Sequence, residues 1–563
     1  MILSLSFLTA ACLLCALGAS SAVCSALDHI GPLRRLRAGT DRLLSRLEWP
    51  LFALLLASAL ALRVCQALPG VTADEMLIAV QGRALLGTGA DLSGVPFPAF
   101  LPGYGSSTAM GPLLPLLTAP FTALLGMTEL AVRLPAQLIA LLSLALSYLL
   151  ARRIGGRRMA LFALLALALS PWHVMASRFL NAGMAALCMV ALCALLLACG
   201  RYTAAGVALG LSMYVSDGLW LVAPAMQLFA VLYLPFVQRV PLRRLLPGLL
   251  LFLLVSLPAL CTIAVNALDL PSFRLLLVTI PRLPTAPQTL TTIFSQGFSF
   301  DALEGTAVSL LEWLVCAVKL DEFGGTNAYI PYEGGLVFLF TLPLLAGGLL
   351  CALSRARAGR VRFALLAMLF AACALPRLLC PTVSVEHLLP LLLPTALLAA
   401  LCASEISRRL RLVGTPALCA LYAAATLALV PAVYGEDFVY SVESEFCAGF
   451  IPAAQYARAQ SPEHIIVTNA LYPCVDSQRL GEAMARFALD LPADASVGDG
   501  APVQVAGLSG RDLSPVEGTV YLASMNDLDY FDWDAYDIQD FGLYTVFTPL
   551  KADAAGAGDS EGA

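Results

Sequence analysis

Asp74 and Glu75 are adjacent acids placed where the chain leaves an apolar run long enough to cross a bilayer, in the stretch PGVTADEMLIAVQGRALLG (69–87). A carboxylate at a lipid surface can act as a general base, accepting the proton of an attacking hydroxyl or amine. Arginine is the complementary group, because its planar fork of N–H donors matches phosphate oxygens. Arg178 and Arg282 are the candidates for that role. Asn181, Glu386, His387 and, in the same loop as the two acids, Tyr104 complete the candidate substrate-binding set. Each of these residues also has a plainer use. Thr72-Ala-Asp-Glu75 fits a capping box, with Thr72 as N-cap and Glu75 three residues on. Acids in a first helical turn complement the helix dipole. A lone arginine anchors at an interface or pairs internally, and a Glu-His pair can link two helices.

The elements that must position these groups are mostly membrane helices. The chain is 59% hydrophobic and only 13% charged, with mean hydropathy +0.83. A soluble domain carries about 25% charged residues, so most of this chain is solvated by lipid. Apolar runs near the spanning length of roughly 20 residues fall at 2–27, 49–67, 129–151, 159–177, 181–200, 202–215, 218–237, 246–267, 333–353, 363–380, 387–404 and 414–434. That predicts a polytopic α-helical membrane protein of about 12 spans. The alternate loops carry the arginines: Arg34 to Arg46, Arg152 to Arg158, Arg201, Arg239 to Arg244, Arg355 to Arg362, and Arg408 to Arg411. The positive-inside rule makes that side cytoplasmic. The loops 68–128 and 268–332, and everything after about 435, then face outward. Within the first loop, MGPLLPLLTAPFTALLG (110–126) is apolar but broken by prolines, as suits an interfacial or re-entrant helix.

Charge divides the chain as well. Residues 435–563 hold 21 acids against 5 bases, although the whole chain has a net charge of only −5. The domain reading is an extra N-terminal span with a basic cytoplasmic loop (1–48), a membrane body (49–434), and an acidic extracytoplasmic domain (435–563). In that tail, helical patterns at 445–459 and 479–488 alternate with β-like runs at 464–469, 502–508, 518–525 and 543–550, which predicts a small α/β domain. Its last residues, DAAGAGDSEGA, have the composition of a disordered end. Cys447 and Cys474 are the one candidate disulfide; most other cysteines sit in apolar runs as small hydrophobes.

No Cys/His spacing suits a zinc site, and there is no phosphate-binding glycine loop or dinucleotide fingerprint. No cofactor is assigned, with room left for a divalent metal, and no nucleic-acid partner is expected. The outer charges favour a cavity open to the outer side. A lipid-linked sugar phosphate would suit it, since the phosphate is a good leaving group and the site need supply only a base and cations. Two other classes use the same layout. A transporter or flippase for such a lipid would depend on polar groups at mid-depth. A non-catalytic envelope scaffold would keep Asp74 and Glu75 only as caps.

The order of the motifs adds a resemblance. ADEMLIAVQGRALLGTGADLSGVPFP, GPLLPLLTAPFTALLGM and AVRLPAQLIALLSLALSYLLARRIGG follow one another, then LSPWHVMASR, GLSMYVSDG, VTIPRLP and NAYIPYEGG. Over residues 50–400 the chain resembles the GT-C glycosyltransferases of the bacterial protein-mannosyltransferase and aminoarabinose-transferase type (glycosyltransferase family 39-like). The resemblance implies a GT-C-like body and inverting transfer of a sugar from a polyprenyl-phosphate donor to a protein, lipid or cell-wall polymer at the outer face of the cell membrane. It implies Asp74 as catalytic base, with Glu75 beside it. Members often carry a second acid shortly after the Ser-Arg element; here Ser177-Arg178 is followed by Phe179, Leu180 and Asn181, and Asn181 cannot act as a base.

Overall fold

The structure is a computed structural model. It describes residues 2–20, 31–64, 67–104, 107–284, 287–290, 337–380, 384–471, 478–498 and 500–550, together with Glu304 and Val308. Cys474, most of the second outer loop beyond 290, and the end from 551 onward lie outside the described residues.

Helices α1 (Ile2–Ala19), α2 (Gly31–Val64) and α3 (Ala73–Thr88) are followed by a hairpin of β1 (Leu101–Tyr104) and β2 (Ser107–Met110). Then come α4 (Leu113–Leu125), α5 (Glu129–Gly155), α6 (Arg157–Ala168), α7 (Pro171–Ala176), α8 (Ala182–Ala198), α9 (Tyr202–Ser212), α10 (Leu219–Gln238) and α11 (Leu242–Ala267). A second hairpin, β3 (Phe273–Leu275) and β4 (Val278–Ile280), precedes α12 (Thr341–Arg357), α13 (Val361–Leu379), α14 (Val385–Leu388) and α15 (Leu392–Tyr434). The C-terminal part holds α16 (Glu436–Val442), α17 (Phe450–Ala459), β5 (His464–Thr468), α18 (Gln478–Ala488), β6 (Val503–Ala506), β7 (Thr519–Ser524), β8 (Tyr536–Asp540) and β9 (Tyr544–Pro549). By its contacts the chain divides into two compact units. The first comprises Met1–Gln66, Pro98–Leu114 and Ala136–Phe438; the second comprises Ala67–Phe97, Pro115–Pro135 and Val439–Ala563.

The first unit is a bundle of apolar helices. Among the described residues, seven helical segments are long and apolar enough to cross a membrane, and four further apolar helices are shorter. The most apolar window, in α11, has mean hydropathy 2.5, yet only 33% of it is buried in the protein. A helix this apolar and this uncovered needs lipid around it. Small residues let some helices touch at the backbone: a Cβ on Gly206 of α9 would stand 1.9 Å from the Gly248 carbonyl of α11.

Three of the predicted spans differ in outline. The run 159–177 is not one helix: α6 stops at Ala168, and α7 restarts at Pro171, with Ser170 extended between them. Proline disfavours helical geometry in the residue before it, which explains the break. The runs 387–404 and 414–434 instead fall within the continuous 43-residue helix α15 and the short turns before it. A straight helix of that length would be roughly 64 Å long, twice a bilayer's hydrocarbon thickness. It is not straight. Ser407 Oγ and Thr415 Oγ1 are 2.5 Å apart, whereas eight residues of helix rise about 12 Å. The chain therefore doubles back beside Arg408, Arg409 and Arg411 without losing its helical assignment.

The second unit gathers the first-loop helix α3, most of α4 and the C-terminal part. Its sheet has the order β6-β5-β7-β9-β8, with β5 parallel to β6 and β7, and β9 antiparallel to β7 and β8. Helices α17 and α18 pack on the sheet, and α3 packs on α18. Every residue of β7 is buried, and Tyr521, Phe531, Tyr536 and Phe547 form an aromatic core beneath it. The strands fall where the β-branched runs predict them; β8 is an addition.

Candidate functional site

Glu75 and Asp74 occupy the first turn of α3. Thr72 is its N-cap: the Thr72 hydroxyl accepts the Glu75 N–H at 3.1 Å, and Glu75 Oε2 accepts the Thr72 N–H at 3.0 Å. The other carboxylate oxygen faces Arg133, with Nη1 to Oε1 at 3.4 Å. Arg133 in turn donates to the Gly70 carbonyl at 2.6 Å, approaches Glu129 at 3.7 Å and lies over the Phe446 ring at 5.5 Å. Glu75 has no exposed surface. Its capping box thus sets the start of the helix, and Arg133 neutralises it. Asp74, one residue before, is half-buried in the same turn.

The far end of α3 is also tied down. Arg83 pairs with Asp490 at 2.7 Å and donates to the Leu491 carbonyl at 3.1 Å. Asp490 also accepts the Met127 N–H at 3.3 Å. In the middle, a Cβ on Gly82 would stand 2.3 Å from the Pro115 carbonyl, so only glycine permits this approach of α3 to α4.

In the first unit, the candidates Arg178, Asn181, Glu386 and His387 form polar connections around the N-terminus of α8 and the α14 turn. Asn181 is the N-cap of α8: its Oδ1 accepts the Met184 N–H at 2.8 Å. Its amide donates to the carbonyls of Ala176 and Phe179, at 2.6 and 3.1 Å. The first turn of α8 has no acid of its own. Glu386 supplies one, its Oε1 accepting the N–H groups of Ala182 and Gly183 at 2.9 and 3.2 Å. Beside it, His387 Nε2 is 2.7 Å from Asp217, and Nδ1 is 2.6 Å from the Ser384 hydroxyl. Asp217 also accepts the Thr289 hydroxyl at 3.3 Å. Arg178 is almost fully buried, its guanidinium 5.3 Å from the ring centres of both Tyr434 and Phe438. Such a stack holds a cation in an aromatic cradle.

Arg282 is placed differently. It is exposed on the second hairpin's exit and pairs with Asp269 at 2.5 Å. Tyr104 ends β1, and its side chain lies outside the described residues. Arg133 and Asp217, ionisable residues at the ends of apolar runs, are engaged here, and so are Ser384 and Thr289. Ser384 is three residues from His387; Arg133 reaches Glu75, Thr289 reaches Asp217 and Asp217 reaches His387 across 58, 72 and 170 residues, which no spacing announces. His173 meets Arg63 at 2.8 Å and Ser143 at 3.0 Å, the satisfied buried histidine that its apolar surroundings require.

Among the described residues no three His, Cys, Asp or Glu side chains group as metal ligands. Both oxygens of Glu75 are engaged by Thr72 and Arg133.

Comparison with known proteins follows from this geometry. Residues 109–262 match the family described as dolichyl-phosphate-mannose-protein mannosyltransferase. No curated protein sequence matches the chain. Among solved structures, ArnT from Cupriavidus metallidurans bound to undecaprenyl phosphate superposes with a TM-score of 0.51 at 16% identity, covering 89% of this chain and 98% of that one. Its apo form gives 0.52 at 15% identity, covering 91% and 98%. The fold is GT-C. The family match runs from β2 to α11, and so includes α7, Arg178, Asn181 and Asp217. The GT-C likeness covers nearly all of ArnT and includes most of both units of this chain.

Proposed function

We infer that this GT-C protein is an integral-membrane glycosyltransferase. It moves a sugar from a polyprenyl-phosphate donor to a protein, lipid or cell-wall acceptor at the outer face of the cell membrane. In the proposed reaction Asp74 takes the proton of the acceptor hydroxyl or amine as that atom bonds to the anomeric carbon. The bond from that carbon to the phosphate oxygen breaks with inversion, and the polyprenyl phosphate leaves with the bonding electrons. Positive charge to hold the leaving phosphate is the main electrostatic need, and Arg178 and Arg282 are the candidates the sequence offers for it.

The observation that carries the assignment is the place of Asp74 in the first turn of α3, a helix held near both ends by ion pairs. Glu75 is locked into its cap and onto Arg133, so it serves to place its neighbour, while Asp74 sits half-buried one residue away on a helix pinned at both ends. Asn181 stands near where the resemblance implies a second acid. We assign that place to Glu386, whose carboxylate reaches the two amides that follow Asn181.

Transfer from a labelled polyprenyl-phosphate hexose in nanodiscs, comparing wild type with Asp74→Asn, tests the reading. Turnover by wild type, lost in a variant that still folds and binds donor, supports it. Equal turnover by both removes Asp74 from the base role. Donor binding without transfer to any acceptor class favours a transporter or scaffold.

A further inference from the structure

At the arginine-rich end of the first unit, a cavity of about 210 Å³ opens between the ends of five helices. Arg153 of α5 and Arg362 of α13 line it together with Tyr202, Phe229, Leu234 and Leu365. Four arginines on neighbouring turns are matched to acids. Arg152 and Arg157 both reach buried Glu48 at 2.7 Å, and Arg355 and Arg408 share Glu405. Arg153 and Arg362 are not matched in this way. Arg153 Nε donates to the Ala198 carbonyl at 3.4 Å, and Arg362 Nη1 to the Arg153 carbonyl at 3.2 Å. Among the described residues neither forms an ion pair with a carboxylate. Two guanidinium charges therefore converge on one pocket with most of their N–H donors unused by the protein.

The walls limit what can neutralise them. Apolar side chains (Leu197, Phe229, Leu234 and Leu365) line the same cavity as the two guanidinium groups, so a phosphate attached to a stem can put both parts to use where a bare ion cannot. The volume accommodates roughly seven waters' worth of matter, enough for a phosphate on a short carbon stem. Helix α10, which supplies Phe229 and Leu234, exposes Leu228, Leu232 and Phe236, so the same helix bears a lipid-facing surface.

We propose that this pocket is a binding site for a phosphoryl anion esterified to a small or apolar stem, held by Arg153 and Arg362. That chemistry is carried by an anionic phospholipid headgroup or by a soluble phosphate ester. The site is separate from the proposed transfer chemistry and does not depend on it.

Thermal unfolding of the full-length detergent-purified protein tests the site, titrated separately with short-chain phosphatidylglycerol, short-chain phosphatidylcholine and glycerol 3-phosphate. A saturable stabilisation by phosphatidylglycerol that exceeds that by phosphatidylcholine is expected for a lipid. Stabilisation by glycerol 3-phosphate at equal or lower concentration instead identifies the soluble ester. In either case Arg153→Gln with Arg362→Gln should raise the half-saturating concentration by about tenfold or more, the loss expected for charged hydrogen bonds. Should the double variant fail to fold, Arg362→Gln alone, at an exposed position, and Leu234→Phe, which narrows the cavity and keeps both charges, should each weaken binding. No saturable shift in wild type, or unchanged saturation in folded variants, overturns the proposal.

Discussion

Glu75 accepts from Thr72 through one oxygen and meets Arg133 through the other. Asp74 lies in the same first turn. The two acids therefore predict different phenotypes. Asp74→Asn should lower kcat by about 100-fold or more, the typical range for removing a general base, with the melting temperature nearly unchanged. Glu75→Gln should instead act through stability. It keeps an acceptor for Thr72 but leaves the Arg133 charge poorly compensated, at a cost of about 2–3 kcal/mol. A thermal melt then shows the loss, and activity falls only as folded protein is lost. If Glu75→Gln abolishes turnover in a protein that melts like wild type, the two roles are reversed. At the start of α8, Asn181→Ala removes a cap and should cost about 1 kcal/mol, while Asn181→Asp retains the acceptor and should melt close to wild type.

Among the elements, the doubled-back helix α15 gives the sharpest geometric test. Ser407→Cys with Thr415→Cys should form an intrachain disulfide under mild oxidation, seen by mass spectrometry of the joined peptides. In a straight helix these positions are about 12 Å apart along the axis and cannot be bridged; failure to cross-link would mean that the helix runs on. The reversal was legible because arginines interrupt the apolar pattern at 408–411. The strands β5, β6, β7 and β9 were legible for a similar reason, since β-branched and aromatic residues there are bounded by Gly, Pro and Asp. Strand β8 was not, because YDIQD at an edge has too few apolar positions to show alternation. The capping box was visible in the spacing of Thr72 and Glu75. Arg133 was not visible as its counter-ion, since 58 residues separate it from Glu75. The same limit hid the Asp217–His387 contact, which joins residues 170 apart. The break after α6 was written in Pro171, but the apolar residues on both sides of it masked the signal.

For the whole molecule, the arginine asymmetry predicts which surfaces meet which solvent. A maleimide that cannot cross a bilayer should label Ser514→Cys in intact cells, above the background of native cysteines. It should label Ala358→Cys, between Arg357 and Arg360, only after permeabilisation. The reverse pattern would invert the orientation and move the proposed transfer to the other face. The second unit adds a constraint on how the protein can be dissected. Helix α3 rests on α18, its Arg83 is held by Asp490, and the Arg133 that steadies Glu75 lies against Phe446. The acidic C-terminal part is therefore half of the core around the helix that carries Asp74. A chain cut at residue 435 would lose more than a separable appendage: α3 would be left with its α18-facing side bare and Arg83 without its acid. Inactivity of such a fragment would report a collapsed loop, and would say nothing about whether the tail touches an acceptor.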